Sequence, residues 1–233
     1  MKALGKNLTF GLLDRLGKQI VTGEFHGHPF PTEAELSASN GVSRSVTREA
    51  VKMLAAKGLL TARPRQGITI RPEADWNLFD PDVLNWLLQR KFSIELLAQF
   101  NQLRAAIEPA AAALAATAGD GAALALIEAG FARMEAADRA QDDGLDADIA
   151  FHLAILHASG NPFFNQFREL VSTALRTSIR FTNHIVGRSA DLAAHARVRD
   201  AIVRRDPHAA RAAMSAIIAD VMDLITSETG KKD

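Results

Sequence analysis

The stretch PTEAELSASNGVSRSVTREAVKMLAAKGLLTARPRQGITI, residues 31–70, decides how the N-terminal part of the chain folds. Thr32, with Glu35 three residues later, predicts the capped start of a short helix. The Asn40-Gly41 pair predicts the turn that ends this helix. Ser43 then offers its hydroxyl as the N-cap of a second helix. The stretch therefore opens with two short helices joined by a tight turn.

The rest of this stretch predicts the second helix and a hairpin. From residue 44 onward, apolar side chains recur at helical spacing and mark a face that we expect to be buried: Val46, Ala50, Met53 and Leu54. Gly58 predicts the end of the helix. Short apolar runs at residues 59–61 and 68–70 flank a turn and predict a β-hairpin. Together these elements make a winged helix-turn-helix.

Basic and hydroxyl side chains cluster at the start of the second helix and at the hairpin tip. A recognition helix enters the major groove with its N-terminus first, and arginine binds guanine O6 and N7 in bidentate fashion. Hydroxyl groups suit phosphate contacts. We therefore predict a DNA-binding surface made of Ser43, Arg44, Ser45, Thr47 and Arg48 on the helix and of Arg63, Arg65, Gln66 and Gly67 on the wing. The alternative is a solvated charged face with no partner.

Charge is distributed unevenly along a chain that is neutral overall. Residues 1–72 hold 11 Lys/Arg against 5 Asp/Glu, whereas the remaining residues hold 16 against 22. A basic N-terminal part on an acidic body suits nucleic-acid binding. The absence of cysteine excludes disulfides and cysteine-based zinc sites. No secretory leader and no apolar run of about 18 residues occurs, so we expect a soluble cytoplasmic protein.

Only helical signals follow the wing. Good N-cap residues, several of them followed by proline, precede successive apolar-periodic segments: Asp80-Pro81, Ser93, Asp120, Asn161-Pro162 and Asp206-Pro207. We expect the Asn161-Pro162 helix to continue to about residue 186. The predicted fold is mainly α, with a winged helix-turn-helix (1–72), a linker (73–80), an all-α bundle of about seven helices (81–229) and a disordered tail (230–233).

Several motifs carry a family resemblance. The VSRSVTREA core (42–50), within residues 10–71, resembles the DNA-binding domain of GntR-family transcription regulators. Three motifs of the bundle are similar to the FCD ligand-sensing domain of the FadR subfamily: LRAAIEPAAAALAA (103–116), DADIAFHLAILHASGNP (146–162) and LAAHARVRDAI (192–202). Some members carry an arginine where this chain has Ala34, which leaves the operator sequence open.

Asp148 and His152 are four residues apart, so they share one face of one helix and suit a single metal ion. His195, on a later helix, completes a candidate group. The alternative is a surface hydrogen bond, but the apolar neighbours of this pair predict a buried helix. FCD domains with a full metal site carry a further histidine where this chain has Ile217. The resemblance therefore implies either a three-ligand site for a divalent metal (zinc, nickel or manganese) with open positions, or a site that has lost its metal.

We predict an effector site in the bundle, formed by Arg104, Arg176, Asp148, His152 and His195. The resemblance implies the role of Arg104 in this site. Arg104 is expected to point into the cavity and to pair with an effector carboxylate. Its alternative is a salt bridge to Glu108, four residues on. Arg176 is predicted to add a second contact to an anion. A metal, arginines and hydroxyl donors suit a polyhydroxylated acid, and LGKQIVTG, PTEAEL and DPDVLNWLL are similar to segments of sugar-acid-responsive repressors of this subfamily.

We therefore predict a homodimeric repressor of a sugar-acid operon, such as one for the hexonate galactonate. Effector binding is expected to release it from an inverted-repeat operator. One alternative is a metal-sensing regulator. Another is a metal-dependent enzyme tethered to DNA, with Asp148, His152 and His195 at its catalytic metal. No nucleophile–base pair or phosphate loop accompanies that group, so we predict that the chain is not an enzyme.

Overall fold

The computed structural model describes residues 2–63, 67–90, 93–118, 120–186 and 191–229, with side chains described from residue 8 onward except in 179–186 and 228–229. The chain divides into two compact units, Met1–Phe92 and Ser93–Asp233. The predicted disordered tail, 230–233, lies outside the described residues. None of the helices in the described part of the chain is long and apolar enough to cross a membrane.

The first unit is a winged helix-turn-helix with one added helix. Its elements are α1 (Lys2–Val21), α2 (Glu33–Asn40), α3 (Arg44–Ala56), β1 (Leu60–Arg63), β2 (Gly67–Ile70) and α4 (Pro81–Leu87). The two strands form an antiparallel hairpin in which Leu60 pairs with Ile70 and Arg63 with Gly67. The predicted winged helix-turn-helix is therefore confirmed.

The helix-turn-helix is held by the predicted local caps. The backbone N–H of Glu35 donates to Thr32 Oγ1 at 3.3 Å, and the N–H of Thr32 donates to Glu35 Oε2 at 2.8 Å. Gly41 ends α2 with φ of +61°, a conformation that glycine adopts without strain. Ser43 Oγ accepts from the backbone N–H of Val46 at 3.3 Å and starts α3.

The buried face of α3 shares Ala50 and Leu54 with the predicted one but is rotated towards Thr47 and Val51. Its fully buried side chains are Thr47, Ala50, Val51 and Leu54, whereas Val46 and Met53 are only half-buried. Successive residues turn by about 100° around a helix with 3.6 residues per turn. The burial of Thr47 in place of Val46 is the consequence of this rotation.

Helix α4, which we expected to open the bundle, packs in the first unit instead. The indole of Trp86 is buried, and its Nε1–H donates to Asp14 Oδ1 on α1 at 2.7 Å. A Cβ atom on Gly17 would lie 2.3 Å from the Trp86 ring, so the absence of a side chain at Gly17 permits this contact. The first unit therefore extends past the predicted boundary at residue 80 to Phe92.

The segment predicted as a linker, residues 73–80, is hydrogen-bonded to the winged domain. The Trp76 indole donates to the carbonyl of Arg71 at 3.1 Å. Lys57 Nζ lies 2.8 Å from Asp80 and 2.7 Å from Asp82. Burial by itself would lower the pKa of Lys57, but hydrogen bonds to the two aspartates outweigh it and raise the pKa. The predicted linker is thus a packed extension of the winged domain from Trp76 to Asp80.

The second unit is an all-α bundle. Its helices are α5 (Ile94–Ala118), α6 (Gly121–Asp138), α7 (Gly144–Ala158), α8 (Pro162–Asn165), α9 (Arg168–Val186), α10 (Leu192–Val203) and α11 (Pro207–Thr229). Helix α5 lies against α7, α9, α10 and α11, and its alanine-rich half contributes to the apolar core. The described residues of this unit contain no strand, which confirms the predicted class.

The predicted helix from Asn161-Pro162 to about residue 186 is divided into α8 and α9. After α8, the backbone N–H groups of Gln166 and Phe167 donate three residues back, to Phe163 and Phe164. This tightened turn interrupts the α-helical ladder. Phe164 and Phe167 pack against the bundle core, which holds the interruption in place.

Candidate DNA-binding surface and metal-binding cluster

The first turns of α3 present two arginines to solvent. Arg44 and Arg48 are both exposed, and Arg48 keeps 63% of its side chain accessible. Arg48 Nε donates to Glu33 Oε2 on α2 at 3.3 Å. Ser43 and Ser45 are also exposed, although the hydroxyl of Ser43 caps the helix. The geometry therefore places a basic, hydroxyl-bearing helix start on the surface of the winged domain.

Thr47 does not belong to this surface, so its predicted DNA contact is corrected. Its side chain is fully buried, and its hydroxyl donates to the backbone carbonyl of Ser43 at 3.3 Å. A hydroxyl that bonds to the preceding turn is satisfied within its own helix. Thr47 is a packing residue of α3.

The structure describes two of the four wing residues that we predicted to contact DNA, Arg63 and Gly67. Arg63 is exposed at the end of β1, opposite Gly67 at the start of β2. Gly67 has φ of +83°, so a larger residue would be strained there. The predicted residues Arg65 and Gln66 lie outside the part of the chain that the structure describes.

In the bundle, α7 and α10 bring Asp148, His152 and His195 into one buried group. Asp148 Oδ1 lies 3.3 Å from His152 Nε2 and 3.1 Å from His195 Nε2. One ligand atom from each residue lies within 4.8 Å of the others, and all three side chains are buried. A carboxylate and two imidazoles in this arrangement are a candidate metal-ligand set.

One hydrogen bond, on the side of the His195 ring that faces away from Asp148, determines the tautomer of this histidine. His195 Nδ1 lies 2.7 Å from the backbone carbonyl of Asp191, so Nδ1–H is the donor and Nε2 of the neutral ring is left as an acceptor. Nε2 faces Asp148 Oδ1, also an acceptor, and among the described residues neither buried atom has an aligned hydrogen-bond partner. The 3.1 Å separation is therefore a contact without hydrogen-bond alignment. A bound cation would satisfy both atoms.

Arg104, which was predicted to bind an effector carboxylate, forms a salt bridge with Glu108 instead. Its Nε donates to Glu108 Oε1 at 2.6 Å and its Nη1 to Asn101 Oδ1 at 3.1 Å. Both members of the Arg104–Glu108 pair are almost completely buried. The salt bridge that the spacing allowed is thus the arrangement in this structure.

Glu108 also contacts the histidine group, which sequence spacing did not indicate. Its Oε2 lies 2.5 Å from His152 Nδ1, so one carboxylate joins Arg104 to a candidate metal ligand. Asn101 extends this buried network by donating from Nδ2 to Ser178 Oγ on α9 at 2.9 Å. Asn101 and Ser178 are polar residues of the site that the sequence analysis missed, and it named Glu108 only as a partner of Arg104.

Neighbouring charges shift the pKa values of three buried groups in the cluster. Burial alone would raise the pKa of Glu108, but Arg104 and His152 lower it to about 2. Burial would likewise raise the pKa of Asp148, yet the neighbouring His152 holds it well below its usual range. Burial would lower the pKa of His152, whereas Glu108 and Asp148 raise it to about 9. The two carboxylates therefore favour a protonated His152, and a metal held at Nε2 would require the loss of the proton there.

Arg176 and Ile217, two further bundle positions named in the sequence analysis, do not belong to this group among the described residues. Arg176 pairs with Asp146 at 3.0 Å, and both side chains are more than 40% exposed, so Arg176 forms a surface salt bridge. Ile217, where related domains carry a histidine, is buried in the apolar core of the bundle. The cluster therefore offers three protein ligands from the described residues.

Comparison with known proteins identifies both units. Residues 11–70 match the model of bacterial regulatory proteins of the gntR family, and residues 99–220 match that of the FCD domain. The HTH-type transcriptional regulator YieP of Escherichia coli K12 is 34% identical, covering 93% of this chain and 94% of that protein. The galactonate operon transcriptional repressor of the same strain is also 34% identical, covering 91% of this chain and 94% of the repressor.

A solved structure supports the fold. The Listeria monocytogenes protein Lar matches with a TM-score of 0.62 at 17% identity, over 94% of this chain and 96% of Lar. Its similarity covers both the winged domain and the bundle. This chain belongs to the GntR family, and it is a DNA-binding transcription regulator with an FCD domain, not an enzyme.

Proposed function

We propose that this protein represses a sugar-acid catabolic operon and leaves its operator when a hexonate such as galactonate binds in the bundle. The similarity to the galactonate operon repressor over nearly the whole chain supports this assignment. We further propose that the protein acts in the cytoplasm as a homodimer, whose two winged domains bind the halves of an inverted repeat. Arg44, Arg48 and the wing residues Arg63, Arg65, Gln66 and Gly67 would form each DNA-binding surface, together with Ser43 and Ser45.

The buried group of Asp148, His152 and His195 is the observation that carries the effector proposal. Two acceptor atoms without aligned partners face each other there, which fits a divalent metal such as zinc, nickel or manganese. Three protein ligands leave coordination positions for small oxygen ligands. A hydroxy acid offers a carboxylate and a neighbouring hydroxyl, which suit such positions. Arg104 is committed to Glu108, so we place the acid group of the effector at the metal.

Effector binding must favour one conformation of the dimer to release DNA. A ligand shifts a two-state equilibrium only by its difference in affinity for the two states. The effector site and the DNA-binding surface belong to different compact units. We therefore expect the hexonate to bind more tightly to the protein that is free of the operator, and the operator to weaken hexonate binding by the same factor.

The first experiment measures thermal unfolding of the zinc-loaded protein with a panel of hexonates and dicarboxylates, with and without chelator. A ligand at a hundredfold excess over its Kd adds about 2.7 kcal/mol of stability. We expect one hexonate to stabilise the protein, and the chelator to abolish this effect. The same hexonate should dissociate a fluorescent operator duplex. Stabilisation that survives chelation would refute the role of the metal, and no response to any acid would refute the sugar-acid assignment.

A metal-sensing regulator is the second candidate, because the ligand group is complete without any organic effector. In that case metal removal alone would change operator affinity, and no acid would be required. Fluorescence anisotropy of the operator complex, with metal as the only variable, separates the two functions.

A further inference from the structure

We propose that Glu108 and Arg104 are positioning residues of the metal-binding cluster: Glu108 sets the tautomer of His152, and Arg104 acts through Glu108 without contacting the effector. The expected effect on metal binding rests on the metal site that we propose above. Its statement about the tautomer depends only on the residues of the chain.

The carboxylate of Glu108 lies between Arg104 and His152 and contacts both side chains. Oε1 accepts from Arg104 Nε at 2.6 Å, and Oε2 lies 2.5 Å from His152 Nδ1. An ionised carboxylate can only accept hydrogen bonds, so the proton of the neutral His152 ring must sit on Nδ1. The lone pair of Nε2 then faces Asp148 Oδ1 and the position between the ligands. Glu108 thereby presents His152 in the form that binds a metal.

Arg104 is held in a way that leaves it little freedom for a ligand. Its guanidinium donates to Glu108 from Nε and Nη2 and to Asn101 from Nη1. Asn101 is fixed in turn, because its Nδ2 donates to the carbonyl of Leu97 and to Ser178 Oγ, both at 2.9 Å. The guanidinium is only 2% exposed as a side chain. Arg104 therefore holds the Glu108 carboxylate in its orientation towards His152.

Replacement of Glu108 by glutamine tests this arrangement with almost no change in shape. Arg104 has only donors, so the amide oxygen of Glu108→Gln must face Arg104. The amide NH₂ then faces His152 Nδ1, which has to become an acceptor. The ring proton moves to Nε2, where it can donate to Asp148. The nitrogen that would bind the metal is then blocked. The buried Arg104 loses its counter-charge and its Nη2 hydrogen bond, so circular dichroism and urea denaturation first establish that the variant is folded. The double variant described below removes both charges and is the second test of the tautomer.

Two measurements compare the wild type, Glu108→Gln and the control Glu128→Gln, a matched change at an exposed position of α6. ¹⁵N NMR of the metal-free proteins over a series of pH values, read where the ¹⁵N shifts show a neutral His152 ring, reports the tautomer of this residue. Competition with a chromophoric chelator reports the Kd for zinc. We expect Nδ1–H in the wild type and control but Nε2–H in Glu108→Gln, with zinc affinity about ten- to a hundredfold weaker. An unchanged tautomer or an unchanged zinc Kd in Glu108→Gln would overturn the proposal.

A double variant tests whether Arg104 acts through Glu108. In Glu108→Gln the carboxylate is already lost, so adding Arg104→Gln should weaken zinc binding by less than about twofold more. Additive losses would show that Arg104 has an independent role and would overturn this part. If the wild type binds none of zinc, nickel and manganese, the proposed metal site fails, and with it the consequence of the tautomer for metal binding. The NMR comparison still decides whether Glu108 sets the tautomer, which distinguishes the two failures.

Discussion

Two arginine–glutamate pairs of this protein use the same chemistry for opposite purposes. Arg48 and Glu33 meet on the surface of the winged domain, with 63% and 34% of their side chains exposed, whereas Arg104 and Glu108 meet in the bundle with 2% and 1% exposed. An exposed ion pair contributes little to stability, so its arginine can be transferred to another anion at small cost. A buried pair is costly to break, because the remaining charge is left without a partner. Exposure therefore separates the arginine available to a ligand from the one that maintains a site.

The buried pair should give the largest effect. Arg104→Ala leaves the Glu108 carboxylate buried without its counter-charge and without two hydrogen-bond donors, and we expect a loss of about 3–5 kcal/mol in the free energy of unfolding. Urea denaturation measures the change. Arg139→Ala, at an exposed position at the end of α6, is the control and should change stability by less than about 0.5 kcal/mol. A loss below about 1 kcal/mol for Arg104→Ala would contradict the structural role of the pair.

Substitution of the arginines at the start of α3 should weaken DNA binding and leave the stability of the protein nearly unchanged. Arg44→Ala is expected to weaken specific operator binding by about 1–3 kcal/mol and to relax the base preference, because its side chain is exposed at the helix start. Its free energy of unfolding should change by less than about 0.5 kcal/mol. Fluorescence anisotropy with operator and mutated duplexes measures the first quantity. Unchanged operator binding would show that another part of the domain reads the bases.

Removal of the acid from the exposed pair should have a smaller effect. Glu33→Gln frees Arg48, and we expect the free energy of unfolding to fall by no more than about 1 kcal/mol. Operator binding should strengthen slightly at low salt, since a negative charge near the phosphates is lost. Anisotropy titrations at two salt concentrations test this. Weaker binding at both would indicate that Glu33 orients Arg48 for DNA.

Thr47→Val should have the smallest effect of the four. The Thr47 hydroxyl bonds within α3 and is buried, so its removal should leave operator affinity within about 0.5 kcal/mol of the wild type. Ser45→Ala, at the exposed neighbouring position, is the comparison for a hydroxyl that can reach phosphate. A larger loss of operator affinity for Thr47→Val than for Ser45→Ala would restore Thr47 to the DNA-binding surface.

Local features of this protein were predictable because their partners are close in the chain. The capping box of Thr32 and Glu35, the N-cap of Ser43 and the caps at Asp120 and Asp206 all involve groups two to three residues apart. Helical periodicity also predicted the class of the bundle. It did not predict which residue would lie at the edge of a buried face, because a difference of one position, as between Val46 and Thr47, depends on what the helix packs against.

The sequence by itself determined the winged helix-turn-helix, the α-helical bundle and the exposed arginines of α3, since short-range capping and periodic burial encode these features. Tertiary structure alone decided that α4 packs on α1, through the contact of Trp86 with Asp14 across 72 positions of the chain. It also decided that Glu108 bonds to His152, 44 positions away, and so joins Arg104 to the histidine group. Contacts at such separations leave no periodic signal in one sequence, because they depend on how whole helices pack.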